Sequence, residues 1–317
     1  MKHKIRIGTR GSKLALWQAY YVADLLQKGG MDTEIVTIET KGDKILDVSI
    51  SKIGSKGVFT EEIEDQLKAG NIDIAVHSAK DLQSELPSEF EILAFTERER
   101  ANDVYLSNNK NLDTEDKNLS LVIGTSSTRR IAMLRHYFPH LKTVEMRGNL
   151  QTRISKMEAG ACDILLLAYA GVHRMKYSDM ILKILPTESF TPAVGQGSIA
   201  VECAIDLGEE KKKLIKRSVN HAETEIKLIA ERAYLKKLQG GCSIPVFAMA
   251  EYKDEILSLS GGIVSLDGQN MIRKTVSGRA EEASELGQKL GNNILDEGGR
   301  EILHAIKNHS QSKTFYI

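Results

Sequence analysis

Arginine, lysine and serine recur at the ends of four apolar runs in this chain. "IGTRGSK" carries Arg10, Ser12 and Lys13, and "HSAKD" carries Ser78, Lys80 and Asp81. "GTSSTRR" carries Ser127, Arg129 and Arg130, and "RGNLQTR" carries Arg147 and, one helical turn further on, Arg153. An arginine fork donates two parallel hydrogen bonds to a carboxylate or phosphate. Several such groups in succession suit a small molecule with many negative charges. Asp81 is the lone carboxylate among them. It can stabilise a developing cation or orient an N–H donor, or it can pair with Lys80 or cap a helix. His77 beside it reads as a packed strand histidine. A different kind of chemistry is offered by Cys242 in "LKKLQGGCSIPV". Two glycines precede this thiol, so it is presented on a turn. It reads as a nucleophile or an attachment point, or as an incidental exposed thiol. Cys162 and Cys203 lie in apolar strand-like runs and read as structural.

Those side chains must be held by elements, and the patterning supplies them. "KIRIGTR" reads as a strand, followed by a helix capped by Ser12 and stopped by Gly29. Leu14, Trp17, Tyr21 and Leu25 fall on one face of that helix at helical spacing. "TEIVTIET" is a strand, residues 57–69 a helix opened by Thr60, and "IDIAVHSAKD" a buried strand. Alternation of strand and helix predicts an α/β layer with parallel strands. A second unit begins near residue 101 with the same pattern. "LSLVIGTSS" is a strand and turn, "STRRIAMLRHYF" a helix, "TVEMRG" a strand, "NLQTRISKMEAG" a helix capped by Asn149, and "CDILLLAYAG" a continuous buried strand. "TPAVGQGSIAVECAI" reads as loop then strand, and a long helix runs from about 219 to the Gly-Gly turn. After it, turn signals at "YKDE" and "LDGQN" predict an antiparallel meander with closing helices. The chain thus reads as two similar α/β domains and a smaller α+β domain that carries Cys242 on an antiparallel sheet.

Composition excludes several classes. The 317 residues carry 43 basic and 43 acidic side chains, without the basic surplus that general nucleic-acid binding needs. Three scattered cysteines do not make a disulfide framework or a zinc site, so no metal is expected. No apolar run suits a signal peptide or a membrane span, so the expected location is the cytoplasm. "GQGSIA" precedes a strand, where a dinucleotide fingerprint must open a helix. "GTRGSK" lacks the spacing of a phosphate-binding loop. HExxH, GxSxG and paired CxxC motifs do not occur.

Taken together, "IGTRGSKLALWQA", "KGVFTEEIE", "DIAVHSAKD", "GTSSTRR", "RGNLQTR", "PAVGQG" and "LQGGCSIPV" resemble the hydroxymethylbilane synthase (porphobilinogen deaminase) family, in order and spacing over nearly the whole chain. The resemblance implies three domains, the first two similar to bilobal solute-binding proteins: 1–97 with 197–216, 102–192, and 217–317. It implies a dipyrromethane cofactor joined to the Cys242 sulfur through a thioether. On that primer four porphobilinogen molecules are deaminated and joined head to tail, and hydrolysis then releases the linear tetrapyrrole. Asp81 matches the catalytic aspartate. Lys80, Asp81, Ser127, Arg129, Arg130, Arg147 and Gly148 match cofactor-binding positions. Arg10, Ser12, Arg147, Arg153, Arg174 and Phe59 match substrate-binding positions, and Lys52 and Lys56 fall in a mobile loop over the cleft. A monomer is implied.

The chain departs from the family pattern in three places. Leu82-Gln83 replaces the usual Val-Pro after the aspartate. Arg100, Ala101 and Asn102 replace an acid, a proline and an arginine at the expected hinge. Lys41 replaces an arginine in "TKGD". The alternative reading is a non-catalytic bilobal binding protein for a small polyanion, which leaves Cys242 and the third domain without a role.

Overall fold

The computed structural model describes residues 4–44, 60–241 and 243–312. Lys52, Lys56, Phe59 and Cys242 lie outside the described residues.

The first unit runs β1 (Lys4–Arg10), α1 (Lys13–Lys28), β2 (Asp32–Ile38), α2 (Lys41–Lys44), α3 (Glu61–Lys68), β3 (Ile74–Ser78), a single 3-10 turn Ala79–Asp81, and β4 (Phe90–Phe95). The second runs β5 (Asp103–Leu106), β6 (Val122–Gly124), α4 (Thr128–Tyr137), β7 (Lys142–Val144), α5 (Leu150–Glu158), β8 (Ile164–Ala168), α6 (Tyr169–Arg174) and β9 (Ile181–Ile184). The chain then returns to the first sheet as β10 (Ile199–Ala204), followed by α7 (Glu209–Val219). The last part is α8 (Ala222–Lys237), the strands β11 (Val246–Lys253), β12 (Ile256–Val264) and β13 (Met271–Arg279), and the helices α9 (Ala283–Ile294) and α10 (Arg300–Ser312).

Strand order is β2-β1-β3-β10-β4 in the first sheet and β7-β6-β8-β5-β9 in the second. The two orders correspond. In each sheet the fourth strand is the one that enters directly from the other unit, and it runs antiparallel to both neighbours. The remaining pairs, β1 with β2 and β3, and β6 with β7 and β8, are parallel. The sheets are therefore mixed where the patterning predicted parallel strands. The reason is the double crossing of the chain, which alternation of element types does not reveal. The third sheet is the expected antiparallel meander β11-β12-β13. Its first hairpin turns through Asp254 and Glu255, both at positive φ, as a tight two-residue turn requires.

Local chemistry explains the helix starts. The Ser12 hydroxyl accepts from Ala15 N, Ser127 from Arg130 N and Asn149 from Thr152 N, each satisfying a free first-turn donor. On α1 the buried face is Gln18, Ala19, Val22, Ala23 and Leu26, one step round from the expected stripe. The small Ala19 and Ala23 let the helix approach the sheet. Trp17 and Tyr21, stacked at 5.5 Å, flank it instead, and the Arg174 guanidinium of the second unit lies 5.2 Å from the Trp17 ring centre. One further expectation is corrected. "CDILLLAYAG" is not one strand: β8 ends at Ala168 and α6 starts at Tyr169, whose N–H bonds the Asn102 carbonyl at the unit boundary. The long helix expected from about 219 is α8, which starts at Ala222 after a break between helices at Asn220–His221. There the Asn220 side chain accepts from Phe95 N and His221 N donates to Phe95 O, pinning the break to the end of β4.

The third unit's core joins Ala230 and Tyr234 of α8 and its C-cap Leu238 to Ala248, Leu257 and Leu259 of the sheet and Leu290 of α9. Among the described residues, no helix is long and apolar enough to cross a membrane.

Candidate functional site

The basic segments meet where the chain leaves the strands. Arg10 ends β1 and Ser12 caps α1. Lys80 and Asp81 sit in the 3-10 turn after β3, held short by the next buried side chain, Leu82. Arg10, Ser12, Thr60, His77, Ser78 and Asp81 line one cavity of about 80 Å³. The first unit thus brings three of the sequence-chosen residues, Arg10, Ser12 and Asp81, to a single opening. Among the described residues no hydrogen bond or ion pair engages the exposed Asp81 carboxylate, so neither pairing with Lys80 nor capping accounts for it.

The second unit supplies cations to the same place. Ser127 caps α4, whose first turn carries Arg129 and Arg130. Gly148, at φ 111°, turns the chain before Asn149 caps α5, and a Cβ there would lie 2.8 Å from the Thr152 Cγ2. This turn points the Gly148 carbonyl at Arg153, which donates to it from Nε at 2.8 Å. That is the sole hydrogen bond of Arg153 among the described residues, so its outer nitrogens are available to a ligand. Burial, and then the nearby Arg130, lower its basicity to about 10, while Asp81 raises it and Arg147 lowers it further. Lys80 is pushed down to about 8, by burial first and then by Arg130, with Asp81 and Asp103 opposing. Among the described residues its ammonium has one long contact, 3.5 Å to Gln196 Oε1. Lys80 and Arg153 thus both lie within electrostatic reach of Asp81, and Arg130 and Arg147 lie close to Arg153.

Arg129 and Arg130 are almost fully buried and converge on one carboxylate. Arg129 Nη2 donates to Asp103 Oδ2 at 2.6 Å, and Arg130 donates to Oδ1 from Nε at 3.0 Å and Nη2 at 2.6 Å. This pairing holds the Asp103 carboxyl at about 2, against the upward push of burial. Arg129 also donates to the Thr191 carbonyl, so its polar atoms face the interior. Arg174 donates to the Gly197 carbonyl at 2.7 Å and lies over Trp17. It sits on the crossing segment, apart from the cavity residues.

Residues that sequence reasoning missed tie the units together. Gln196, in "PAVGQG", donates to Ala101 O at 2.6 Å and to Asp103 Oδ1 at 2.9 Å. Its Oε1 accepts from Lys80 of one unit and Arg130 of the other. Arg98 donates to the Gln196 carbonyl and forms a two-pronged pair with the fully buried Glu231. Gly197 can bring the backbone this close only as glycine: at φ 95°, a Cβ would lie 2.3 Å from the Glu99 carbonyl oxygen. The altered hinge residues are employed in this arrangement. Ala101 is buried, Asn102 donates to the Leu185 carbonyl, and the Arg100 guanidinium sits over Tyr169. Nothing in the spacing of "PAVGQG" gave these partners.

The donor set fits a group that carries several carboxylates. Buried lysine and arginine side chains whose basicity is lowered at converging strand ends are held charged more firmly when acetate or propionate groups enter. Among the described residues no cluster of three or more metal-ligating side chains exists.

Two family models match the chain: "Porphobilinogen deaminase, dipyromethane cofactor binding domain" over residues 5–212 and "Porphobilinogen deaminase, C-terminal domain" over residues 226–296. The chain belongs to the porphobilinogen deaminase family. A porphobilinogen deaminase of Cytophaga hutchinsonii is 57% identical over 307 residues, covering 97% of this chain and 98% of that one. One from Desulfosudis oleivorans is 51% identical over 304 residues, covering 96% and 98%. Among solved structures, the Methionine Binding Protein, MetQ, superposes with a TM-score of 0.44 at 12% identity over 68% of this chain and 89% of that chain. The porphobilinogen deaminase cofactor-binding match spans both mixed sheets, and thus Asp81 and every basic strand end described above.

Proposed function

We propose that the protein is the transferase that joins four porphobilinogen molecules head to tail on a dipyrromethane primer and releases linear hydroxymethylbilane. The observation that carries this reading is the approach of Lys80 and Arg153 to an Asp81 carboxylate that has no hydrogen bond or ion pair among the described residues, within a chain of the porphobilinogen deaminase family. When bound, the primer supplies the nucleophilic pyrrole carbon to which the first substrate ring is joined.

The chain's own residues do the rest. Arg10 and Ser12 hold substrate carboxylates at the cavity mouth. Lys80, Ser127, Arg130, Arg147 and the Gly148 turn hold those of the primer, and Arg153 lies between the two sets. Arg129 positions Arg130 through their common Asp103, and Arg174 fixes the crossing beside Trp17. Asp81 accepts from the pyrrole N–H and stabilises the positive charge that spreads over the ring as ammonia departs. The domains are assigned as 1–97 with 197–216, 102–192, and 217–317, in a cytoplasmic monomer. A purely ligand-binding role leaves the Asp81 carboxylate and the Gly-Gly-Cys242 turn without work to do.

The test is the intact mass of the denatured protein, with and without porphobilinogen, beside Cys242→Ser. A stable excess of two pyrrole units that depends on Cys242, with further units added on incubation, is the expected result. An unchanged mass in both proteins would refute the reading.

A further inference from the structure

Behind Asp81 the cavity wall includes His77, whose ring also meets a buried acidic cluster. His77 is 6% exposed and Glu202 is 0% exposed. His77 Nε2 lies 3.0 Å from Glu202 Oε2, out of line for a hydrogen bond. Strand register puts them together. β3 and β10 are antiparallel, with Ala200 opposite His77 and Glu202 opposite Ala75, so both side chains emerge on one face, one step apart. Glu64 of α3 is buried against the same face. Burial raises its carboxyl above the ordinary range, Thr60 lowers it, Glu202 raises it and His77 lowers it. From α8 comes Arg232, whose basicity falls to about 10 through burial, with Glu202 opposing. It donates to the Gln83 carbonyl at 2.8 Å.

Both Glu202 oxygens, Glu64 Oε1, His77 Nε2 and Arg232 Nη1 are sealed from solvent with no hydrogen bond among the described residues. Leaving such an atom unpaired costs about 1–3 kcal/mol. So many in one cluster calls for a purpose, and a cluster that touches the cavity shared with Asp81 has one to hand.

We propose that His77 is the proton carrier of the chain-building reaction, with Glu202 as its positioning residue. The inference rests on the function proposed above. Each addition breaks the C–N bond of the substrate's aminomethyl group, and the electron pair leaves with nitrogen as ammonia. A C–C bond forms to the free α-carbon of the chain end. The hydrogen on that carbon then departs as a proton, its electron pair restoring the aromatic ring. The proton given to the departing amine equals the proton recovered from the α-carbon, so one carrier can serve both steps and finish as it began. His77 lines the cavity, and its Nδ1, which unlike Nε2 is not among the sealed atoms, is the nitrogen that exchanges the proton with substrate. Glu202 lies behind it, 3.0 Å from Nε2, and holds the ring's orientation from the strand β10 side. The division of labour is clear: Asp81 holds charge on the ring, and His77 moves the proton. The other charged groups around the imidazole are Glu64 from α3, Arg232 from α8 acting through Glu202, and Arg10 and Asp81 across the cavity.

The test uses the primed protein and its His77→Gln, Glu202→Gln and Glu202→Asp variants, each checked for primer by intact mass and for folding by circular dichroism. His77→Gln is expected to lower kcat by about 10²–10³-fold with little change in KM. Glu202→Gln is expected to lower kcat with KM unchanged, and Glu202→Asp to recover part of that loss, a rescue that loss of packing alone does not produce. Wild-type turnover with both Gln variants keeping the wild-type rate would overturn the proposal. A wild-type protein that gains no pyrrole mass would instead remove the function on which it rests, and the proposal with it. If neither Gln variant folds, wild-type single-turnover ammonia release in heavy water decides: a normal solvent isotope effect supports the carrier, and its absence overturns it.

Discussion

Glu231→Ala is the sharpest test of how the third unit is fastened to the crossing between the other two. The Glu231 carboxylate is 0% exposed. It accepts from Arg98 Nη1 at 2.5 Å and Nη2 at 3.3 Å, from Gly195 N at 2.9 Å and from Ala250 N at 2.8 Å. Removal leaves a guanidinium, 8% exposed, without its counter-charge, which costs about 3–5 kcal/mol. Two backbone donors also lose their acceptor, at about 1–3 kcal/mol each, partly offset when water enters the vacated space. The combined loss is about 5 kcal/mol, against a total stability of about 5–15 kcal/mol for a folded domain. The double variant Arg98→Met with Glu231→Leu removes both charges at once. It should recover the ion-pair share and keep a deficit of about 2 kcal/mol from the Gly195 and Ala250 N–H groups. Urea unfolding of the primed proteins, followed by the fluorescence of Trp17 and by circular dichroism, measures all three. A single variant within about 1 kcal/mol of wild type, or a double variant no more stable than the single, would refute the reasoning.

Lys80 gives a pH prediction. Its folded value of about 8 lies below the ordinary 10.5. The charged form therefore costs the free protein stability below about pH 8, and that cost is relieved as pH rises towards 10.5. Bound carboxylates restore the charge, so porphobilinogen binding should weaken above pH 8 by up to about tenfold per pH unit, and Lys80→Gln should bind more weakly with that dependence lost. An unchanged slope of KM against pH in Lys80→Gln counts against the assignment. Asp81→Asn should lower kcat by about 10²–10³-fold with an unchanged melting temperature, because the exposed carboxylate makes no hydrogen bond or ion pair among the described residues. A lower melting temperature would mean that Asp81 holds structure. Gly197→Ala, forced to a positive φ and into the Glu99 carbonyl, should destabilise by about 1–3 kcal/mol; thermal unfolding at wild-type temperature would show the crossing to be looser than described.

The sequence by itself determined the local features, because each depends on atoms a few residues apart. Ser12, Ser127 and Asn149 cap their helices through bonds to the third residue on. The "YKDE" turn makes its hairpin, and the α/β alternation places Arg10, Lys80, Asp81, Arg130, Arg147 and Arg153 at the ends of strands. The ordered motifs were enough to name the family. Tertiary structure alone decided which strands pair and which charges meet. β10 enters the first sheet beside β3 only after the chain has built the second, so the contact between His77 and Glu202 has no local signature. Arg98 finds Glu231 across 133 residues, and Arg129 and Arg130 turn inward because Asp103, from the strand that crosses between units, waits there. Periodicity reports which face of an element is buried. It does not report which distant element covers that face, and for buried charges the covering partner decides whether an arginine meets the ligand or the fold.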